Sequence, residues 1–405
     1  MSLHSQQLEV ESKAGPLAGV KVLDFGHMVM GPSCGLVLAD LGAEVVRIEP
    51  PDGDPTRKLK GLGVGFFTCF NRNKSSVTID LKAEGNGKVI ERALRWADVL
   101  VENFAPDAMS RLGMDYAAAS KINPRLVYCS LKGFLPGPYE DRLALDEVAQ
   151  MMGGMAYMTG PIGSPMRAGG SVMDITGGVF GAVAILAALR EREATGQGQF
   201  VQSSLFESAA FYSAQHMTYF AMTGDTPKPM PARHHVFTAY DLFATQDDTV
   251  FIAITSEPQW QRFCVAFSFA DLLADQRLRM QPDRLAVRPW LMDTLSKRLK
   301  FLTAEDIVQR CTTAKVPVAK VNRPDQLVND PHLLQSGQML NVAMPDGRSA
   351  RIPALPFQMG GRTLGIRLQP QAAGAQTQHF LRELGFSESE VATLTVQSMQ
   401  GDKAS

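Results

Sequence analysis

One aspartate has a sequence context that suits a nucleophilic carboxylate. Asp174 opens a long apolar segment of helical pattern, and the glycine-rich residues 169–173 precede it. The structural alternative is an N-cap, because Asp is among the preferred residues at that position. The chemical alternative is a carboxylate that stays ionised near a helix N-terminus, where it can attack an electrophilic carbonyl. The residues alone leave both roles open for Asp174.

Further ionisable residues could contribute to a site. Asp146 lies in a helical segment, where an exposed acid on a helix face is the structural alternative. Arg233 and His234 directly follow a proline-rich stretch. They are either solvated hinge residues or a cationic cluster at a cleft between domains, where ligands commonly bind. Lys82 and Arg111 lie at a strand end or the start of a loop. Each is either a surface charge or, if both lie at the carboxyl ends of parallel strands, part of one binding crevice.

The sequence lacks the motifs of several common sites. No GxGxxG follows the first strand, no Walker A pattern occurs, and HExxH is absent. The five cysteines contain no CxxC pair, so neither a structural zinc site nor any other metal is expected. Residues 31–35 match GxSxG by letter, but residues 26–30 separate them from the preceding strand and Pro32 suits a first helical turn. A nucleophile elbow is therefore not predicted there.

The composition favours a protein with a large core in a reducing compartment. Hydrophobic residues make up 45% of the chain and charged residues 20%, and the net charge is −1. No strong overall field therefore favours nucleic acid or acidic lipid. The first sixteen residues lack an apolar signal segment, and the longest apolar run, 179–189, is too short to cross a membrane. We expect a cytoplasmic protein without nucleic acid or membrane partners.

The candidate residues can form one site only if the fold brings the ends of several strands together. Short apolar strands alternate with helical segments in the first half of the chain, which predicts crossover connections and a parallel sheet in an α/β fold. A helix is predicted over 143–158 and another over 174–193. Strands are predicted at 20–25, 44–48, 76–81, 98–104, 126–131 and 200–204.

The chain is too long for one ordinary domain. Three prolines within residues 226–231 indicate a linker. The predicted organisation is a large domain at 1–225, a linker at 226–235, a small α+β domain at 236–321, and a segment at 322–405 that crosses back and ends in a helix. A hairpin is predicted in the small domain around residues 246–248, and a second one around residues 345–347.

Seven segments occur in an order that resembles one known family. They are GPLAG leading into VKVLDF and GPSCG, LADLGAEVVRIE, CFNRNKSSVTIDLK, ADVLVENFAP with RLG, NPRLVYCSLKGF, SVMDITGG, and REREATGQGQ. Each is weak alone, but their order and spacing over residues 15–210 resemble the class III CoA-transferase family. That family contains formyl-CoA:oxalate and carnitine CoA-transferases and α-methylacyl-CoA racemases.

The resemblance implies a fold and an assembly. The large domain is Rossmann-like and built from both ends of the chain, so that residues 322–405 return to it, and the small α+β domain is inserted between. Two subunits thread through each other as an interlocked homodimer. The substrates implied are CoA thioesters and small carboxylic acids, with no permanently bound cofactor.

The resemblance also implies roles for individual residues. The family's nucleophilic aspartate falls on Asp174, which would form an acyl–aspartyl anhydride and then an aspartyl–CoA thioester, with nearby backbone amides stabilising the oxyanions. Asp146 falls where the family often has a second carboxylate. Arg233 and His234 are candidates for acceptor binding. CoA-contact positions fall on His27, Met28, Val29, Ile79, Lys82, Asn103, Phe104 and Arg111.

Three positions depart from the family pattern. Val29 replaces a glutamine that serves catalysis in the formyl-CoA transferases. Pro50 and Leu143 replace a phosphate-binding arginine and lysine. The neighbouring arginines that could substitute for them are Arg47, Arg57 and Arg142.

Two alternatives to a CoA-transferase follow from the resemblance. A racemase uses a histidine just before the acid at position 146, but Leu145 occupies that place and has no exchangeable proton. A catalytically silent CoA-binding relative is disfavoured by the presence of Asp174. The sequence does not identify the two acids. The cationic cluster after the linker favours a dicarboxylyl-CoA donor such as succinyl-CoA.

Overall fold

The computed structural model divides the chain into two compact units. One comprises Met1–Pro231 with Pro331–Ser405, and the other comprises Ala232–Asp330. The predicted candidates Lys82, Arg233 and His234 lie outside the residues that the structure describes. The described residues are 15–81, 83, 85–105, 107–232 and 236–400, without the side chains of 396–400.

The larger unit is built on a six-stranded parallel sheet, which confirms the predicted α/β fold class. The strand order is β3-β2-β1-β4-β5-β6, the order of a Rossmann-like doubly wound sheet. Its strands are rich in buried Val, Ile and Leu, as a sheet covered on both faces requires. They are β1 Lys21–Asp24, β2 Glu44–Glu49, β3 Lys74–Thr78, β4 Val99–Glu102, β5 Val127–Lys132 and β6 Phe200–Ser204.

Helices cover both faces of this sheet and enclose two separate apolar cores. One core includes side chains of the helices at 87–96 and 377–383, and the other includes side chains of the helices at 30–40, 172–195 and 205–223. The helices of the first part of the unit are α1 Met30–Asp40, α2 Val64–Phe70, α3 Gly87–Trp96, α4 Ala108–Arg111, α5 Tyr116–Ile122, α6 Asp146–Met152, α7 Met155–Thr159, α8 Val172–Thr195 and α9 Leu205–Thr223.

The smaller unit has a three-stranded antiparallel sheet in the order β7-β8-β9 and its own apolar core. The predicted hairpin is present as β7 and β8, which pair around residues 245–248. The strands are β7 Tyr240–Ala244, β8 Thr249–Ala253 and β9 Val318–Lys320. The helices are α10 Glu257–Ala266, α11 Ala270–Ala274, α12 Gln281–Ala286, α13 Arg288–Leu299, α14 Ala304–Thr313 and α15 Pro324–Leu327.

The C-terminal segment packs back onto the large sheet through polar contacts. Asn73, beside β3, accepts hydrogen bonds from the amides of Arg367 and Leu368 at 2.6 and 2.9 Å. Thr377 accepts the amide of Thr78 at 2.9 Å. The segment contains α16 Pro331–Gln335, β10 Met339–Ala343, β11 Ser349–Pro353, β12 Gln358–Met359, β13 Arg362–Thr363, α17 Thr377–Glu383 and α18 Glu388–Gln400. Four 3₁₀ turns lie at Pro55–Lys58, Gly61–Gly63, Met230–Ala232 and Gln276–Leu278.

Some predicted boundaries are wrong, and glycine explains two of them. The helix predicted over 143–158 is broken into α6 and α7 at Gly153–Gly154, where Gly154 has φ +83°. The predicted C-terminal helix is likewise divided before α18, where Gly385 has φ +80°. A left-handed backbone ends a helix, and glycine adopts it without a steric penalty. The third strand lies at 74–78 rather than 76–81.

The long helix α8 packs closely on α1 through glycine. A Cβ atom added at Gly178 would lie 2.5 Å from the carbonyl oxygen of Met30 and 2.8 Å from Cβ of Ser33. A Cβ at Gly181 would lie 2.6 Å from a methyl carbon of Leu131 on β5. By length and composition α8 could cross a bilayer. One of its faces lies in the core between α1 and the sheet, as expected for a core helix of an α/β unit.

We expect Gly178→Ala to destabilise the protein. The new methyl group would displace backbone of α1, and overpacking of this kind lowers the free energy of unfolding by about 1–3 kcal/mol. The measurement is urea unfolding followed by far-UV circular dichroism.

Gly65→Ala is the matched control, since Gly65 is also helical and a Cβ there meets nothing within 4 Å. This substitution should be neutral or stabilising by up to about 1 kcal/mol, as helix propensity predicts. Equal stability changes in the two variants would contradict the close α1–α8 contact.

Candidate active site

Asp174 is the third residue of α8 and lies in its first turn. The N-cap is Ser171, whose side chain makes no capping hydrogen bond. The alternative role of Asp174 as an N-cap is therefore wrong. Its side chain is partly buried, and one turn further along the same helix face Gly178 contacts the start of α1. Asp174 is therefore one turn of α8 away from the contact with α1.

A carboxylate from another helix caps α8. Asp146, the first residue of α6, accepts the amides of Met173 and Asp174 on Oδ2, at 2.6 and 3.0 Å. Gln150 donates its side-chain amide to Asp146 Oδ1, and its own Oε1 accepts the amide of Ala168 at 2.8 Å. Asp146 is 4% exposed and Gln150 is fully buried. The alternative of an exposed surface acid is therefore wrong for Asp146.

The surroundings of Asp174 are negative. Burial, followed by the nearby charges of Asp146 and Glu147, raises the pKa of Asp174 to about 7. Glu147 also forms an ion pair with Arg167, whose Nη1 lies 3.3 Å from Glu147 Oε1. A carboxylate with a raised pKa is more basic than an exposed one and a better nucleophile once ionised. Asp174 therefore titrates close to neutral pH.

The backbone amides around Asp174 fall into two groups. The amides of residues 172–175 already donate, either to Asp146 or to carbonyls of the preceding turn. The amides of Gly169, Gly170 and Ser171 have no acceptor among the described residues. Gly169 and Gly170 are also exposed, and a Cβ at either would meet nothing within 4 Å. Free donors for an oxyanion thus precede α8 rather than lie within its first turn.

The strand order reverses between β1 and β4, and the carboxyl ends of the strands at such a switch point are where doubly wound sheets commonly bind ligands. Asn103 fixes the backbone of His27 twice. Its Oδ1 accepts the His27 amide at 2.7 Å and its Nδ2 donates to the His27 carbonyl at 3.0 Å. The His27 ring stacks on Phe104 with centroids 5.4 Å apart. Burial lowers the pKa of His27, so the ring is neutral at pH 7.

The other predicted CoA contacts differ in exposure. Met28 has φ +60° and is 43% exposed. Val29 and Ile79 have buried side chains, so only their backbone atoms can face a ligand. Arg111 ends α4 and is exposed. The structure therefore brings His27, Asn103 and Phe104 together at the carboxyl ends of β1 and β4, with Met28 next to His27 in the chain.

Two of the arginines proposed to replace missing phosphate contacts are engaged elsewhere. Arg47 is 1% exposed and pairs with Asp54. Arg57 forms two hydrogen bonds to buried Glu49, at 2.6 and 2.7 Å. Both predictions are corrected, because these guanidinium groups hold the fold together. Arg142 is exposed and lies 5.0 Å from the ring of Tyr139.

The GxSxG letters do not form a nucleophile elbow. Ser33 lies inside α1, is 3% exposed, and donates to the carbonyl oxygen of Val29 at 2.7 Å. Sequence reasoning missed Gln150, Glu147 and Arg167 as members of the site. The signal for Gln150 was its position four residues after Asp146, on the same helix face. No comparable signal marked Arg167 in the sequence, because it reaches α6 from the loop before α8 and not through a regular helical spacing.

Comparisons with known proteins found similar sequences and similar structures. A family model described as CoA-transferase family III matches residues 17–377. A succinate–glutarate CoA-transferase of Agrobacterium fabrum is 30% identical over 84% of this chain and 88% of that protein. An acetyl-CoA:oxalate CoA-transferase of Acetobacter aceti is 35% identical over 82% and 88%. The crystal structure of a CAIB/BAIF family protein from Brucella suis has a TM-score of 0.83 at 29% identity, covering 92% of this chain and all of that one.

We expect Asp174→Asn to stabilise the protein in a pH-dependent way. The pKa of Asp174 is raised on folding, so the folded carboxyl keeps its proton up to about pH 7 while the unfolded chain loses it near pH 4. The wild type therefore loses stability as the pH rises between these values, and the variant does not. After allowance for the partial exposure of Asp174, the free energy of unfolding of the variant at pH 8 should exceed that of the wild type by about 1–3 kcal/mol. Urea unfolding at pH 5 and pH 8 measures it.

Asp225→Asn, at an exposed position outside the site, serves as the control and should show no such trend. A stability difference for Asp174→Asn that stays constant from pH 5 to pH 8 would mean that the carboxyl is not in a negative, desolvated environment.

Proposed function

This chain belongs to the CoA-transferase family III, and from that membership we propose that it moves CoA from an acyl-CoA donor to a carboxylic acid through covalent intermediates on Asp174. The observation that carries the proposal is the position of one partly buried carboxylate, with a pKa of about 7, at the head of α8. Its helix packs beside the segment that leads from the β1 crevice into α1. A nucleophile and a binding crevice for CoA thus belong to one unit.

The chemistry exchanges one activated acyl bond for another. The Asp174 carboxylate attacks the donor thioester carbonyl, the C–S bond breaks, and an acyl–aspartyl anhydride and CoA thiolate form. The thiolate attacks the aspartyl carbonyl, which releases the donor acid and leaves an aspartyl–CoA thioester. The acceptor carboxylate attacks that thioester, the C–S bond breaks, and an acceptor–aspartyl anhydride and CoA thiolate form. The thiolate then attacks the acceptor carbonyl and expels the Asp174 carboxylate, which gives the new acyl-CoA. No step changes an oxidation state or consumes ATP.

Each step passes through a tetrahedral oxyanion. The free amides of Gly169, Gly170 and Ser171 are the donors closest in sequence to Asp174 that remain available. One preorganised donor to an oxyanion contributes about 3–4 kcal/mol of transition-state stabilisation in well-studied enzymes. The amides of Met173 and Asp174 are not proposed for this role, since Asp146 already accepts them.

Relatives of this chain suggest the class of acids. Two of them are named for succinate with glutarate and for acetyl-CoA with oxalate. We infer a dicarboxylyl-CoA, such as succinyl-CoA, as the donor. Formate is not favoured as an acceptor, since Val29 cannot supply a side-chain amide. Arg233 and His234 remain predictions for acceptor binding.

The CoA moiety is proposed to lie in the β1–β4 crevice. The stacked rings of His27 and Phe104 offer an apolar surface for adenine, while Met28 and Asn103 present backbone and side-chain polar groups. Arg111 and Lys82 are the proposed phosphate contacts.

A homodimer is proposed from the apolar surface of the two longest helices. Side chains that are 39–68% exposed on α8 and α9 include Val179, Phe180, Val183, Phe211 and Phe220. An apolar surface spread over neighbouring helices is typical of a protein–protein contact. An interlocked pair of subunits would cover it.

A racemase is the alternative that the site does not favour. Leu145 precedes α6 and is 68% exposed, and its side chain cannot exchange a proton. The relatives named as CoA-transferases also favour a transferase over a racemase.

We expect Asp174→Ala to abolish CoA transfer, because the covalent intermediates need the carboxylate. In the wild type, incubation with succinyl-CoA followed by hydroxylamine should convert Asp174 to a hydroxamate, detectable by mass spectrometry of the peptide that contains it. Transfer itself is measured by chromatography of acyl-CoA products.

Asp225→Ala is the control and should retain full transfer and the same hydroxamate on Asp174. Residual transfer above a few per cent in Asp174→Ala would contradict the mechanism. Exchange of solvent deuterium into the α-carbon of a 2-methylacyl-CoA, without a hydroxamate, would favour the racemase.

The pH profile should follow the ionisation of Asp174. The attacking form is the carboxylate, so kcat/KM for the donor should rise with pH along a limb centred near pH 7. Glu147→Gln removes a negative neighbour and should move that limb to lower pH. Glu193→Gln, at the far end of α8, should leave it in place. A limb that does not move in Glu147→Gln would show that the observed ionisation belongs to another group.

A further inference from the structure

Arg167 is a cation that the proposed mechanism does not use, and it pairs with Glu147, one of the two carboxylates whose charges act on Asp174. It lies in the loop before α8, and its Nη1 is 3.3 Å from Glu147 Oε1. The same nitrogen makes one long hydrogen bond, 3.4 Å, to the carbonyl oxygen of Ala168. The guanidinium therefore makes single contacts rather than the paired hydrogen bonds that its planar geometry allows.

The backbone next to Arg167 is held in register with Asp174. The amide of Ala168 donates to Gln150, Gln150 donates to Asp146, and Asp146 accepts the amide of Asp174. Three consecutive hydrogen bonds through buried side chains thus connect Ala168, the neighbour of Arg167, to the backbone of Asp174. This network positions the backbone next to Arg167 relative to the first turn of α8.

The tip of the side chain is free to change partner. The side chains of Arg167 and Glu147 are 39% and 48% exposed. Ion pairs at such exposure contribute little to stability, because water screens them and both side chains lose rotational freedom. A carboxylate that can accept two parallel N–H groups is a better partner for arginine than a single contact with Glu147.

The excess of negative charge at the site gives Arg167 a reason to exchange Glu147 for a substrate carboxylate. Three carboxylates, Asp146, Glu147 and Asp174, lie at the head of α8. A substrate whose acyl chain ends in a second carboxylate would be repelled there unless a cation received it. Among the residues that the structure describes, Arg167 is the cation that ion-pair contacts bring to this group.

We propose that Arg167 is a specificity residue for dicarboxylic acyl groups. The distal carboxylate of the substrate replaces Glu147 as the partner of the guanidinium, while the proximal carboxyl carbon reacts at Asp174. The inference rests on the proposed function, since it assigns the second carboxylate of that reaction's substrate. It concerns binding of the acyl chain and not the covalent steps.

The test compares two thioesters of equal chain length in a protein that cannot react. In an Asp174→Ala background, calorimetry measures the Kd of succinyl-CoA and of butyryl-CoA. Arg167→Ala should weaken succinyl-CoA binding about 10- to 100-fold, the loss expected for a hydrogen-bonded charge pair. Butyryl-CoA binding should change less than about threefold, because its chain carries no charge for the arginine. Arg167→Lys should lie between, since lysine keeps the charge without the paired geometry.

Two further variants complete the test. Glu147→Gln removes the competing partner and should strengthen succinyl-CoA binding. Arg190→Ala, which removes an exposed arginine at the other end of α8, should change neither Kd. If Arg167→Ala does not fold, as judged by circular dichroism, Arg167→Lys and Glu147→Gln still give opposite predicted shifts.

The outcomes separate this inference from the proposed function. Equal weakening of both thioesters, or no change in either, would overturn the role of Arg167 even if the wild type transfers CoA. An Arg167-dependent preference for succinyl-CoA in a protein that never transfers CoA would support the inference and contradict the proposed function.

Discussion

The hydrogen bonds from the first turn of α8 to Asp146 are the constraint on which the site depends. Ser171 provides no side-chain cap, so the amides of Met173 and Asp174 would lack a partner without this carboxylate. Leaving such groups unpaired in a buried place costs about 1–3 kcal/mol each. Because Gln150 fixes Asp146 in turn, a single network sets the position of the first turn of α8, the loop before it and Asp174.

A second constraint is the close approach of α8 to α1. Glycine at position 178 lets the helix backbones touch one turn after Asp174, so this contact sets how the first turns of α8 and α1 lie against each other. Buried charged residues form hydrogen bonds to the segment between β1 and α1. Asp24 accepts the amide of Gly26 at 2.8 Å, and Lys74 donates to the carboxylate of Asp24 and to the carbonyl of Pro32, both at 2.8 Å. These hydrogen bonds restrain the segment between β1 and α1.

The folded protein holds Asp174 in an electrostatically unfavourable environment. Burial, together with the charges of Asp146 and Glu147, raises the pKa of Asp174, which lowers the stability of the folded protein near neutral pH and makes the carboxylate more basic. Arg167 offsets part of this charge through Glu147. A direct ion pair to Asp174 would lower the pKa of its carboxyl. Because Arg167 pairs with Glu147 instead, the raised pKa of Asp174 is retained.

The sequence by itself determined the parallel α/β sheet, the hairpins, the long helix that begins near Asp174 and the family, because apolar periodicity, turn residues and ordered motifs are local or collinear signals. It could not decide that Asp146 is buried as a cap, that Arg47 and Arg57 are engaged in the core, or that Arg167 lies at the site. Those outcomes depend on which distant charges and amides meet after folding. Only the tertiary structure decides them, since burial and pairing change the energy of a charged group more than its sequence neighbours do.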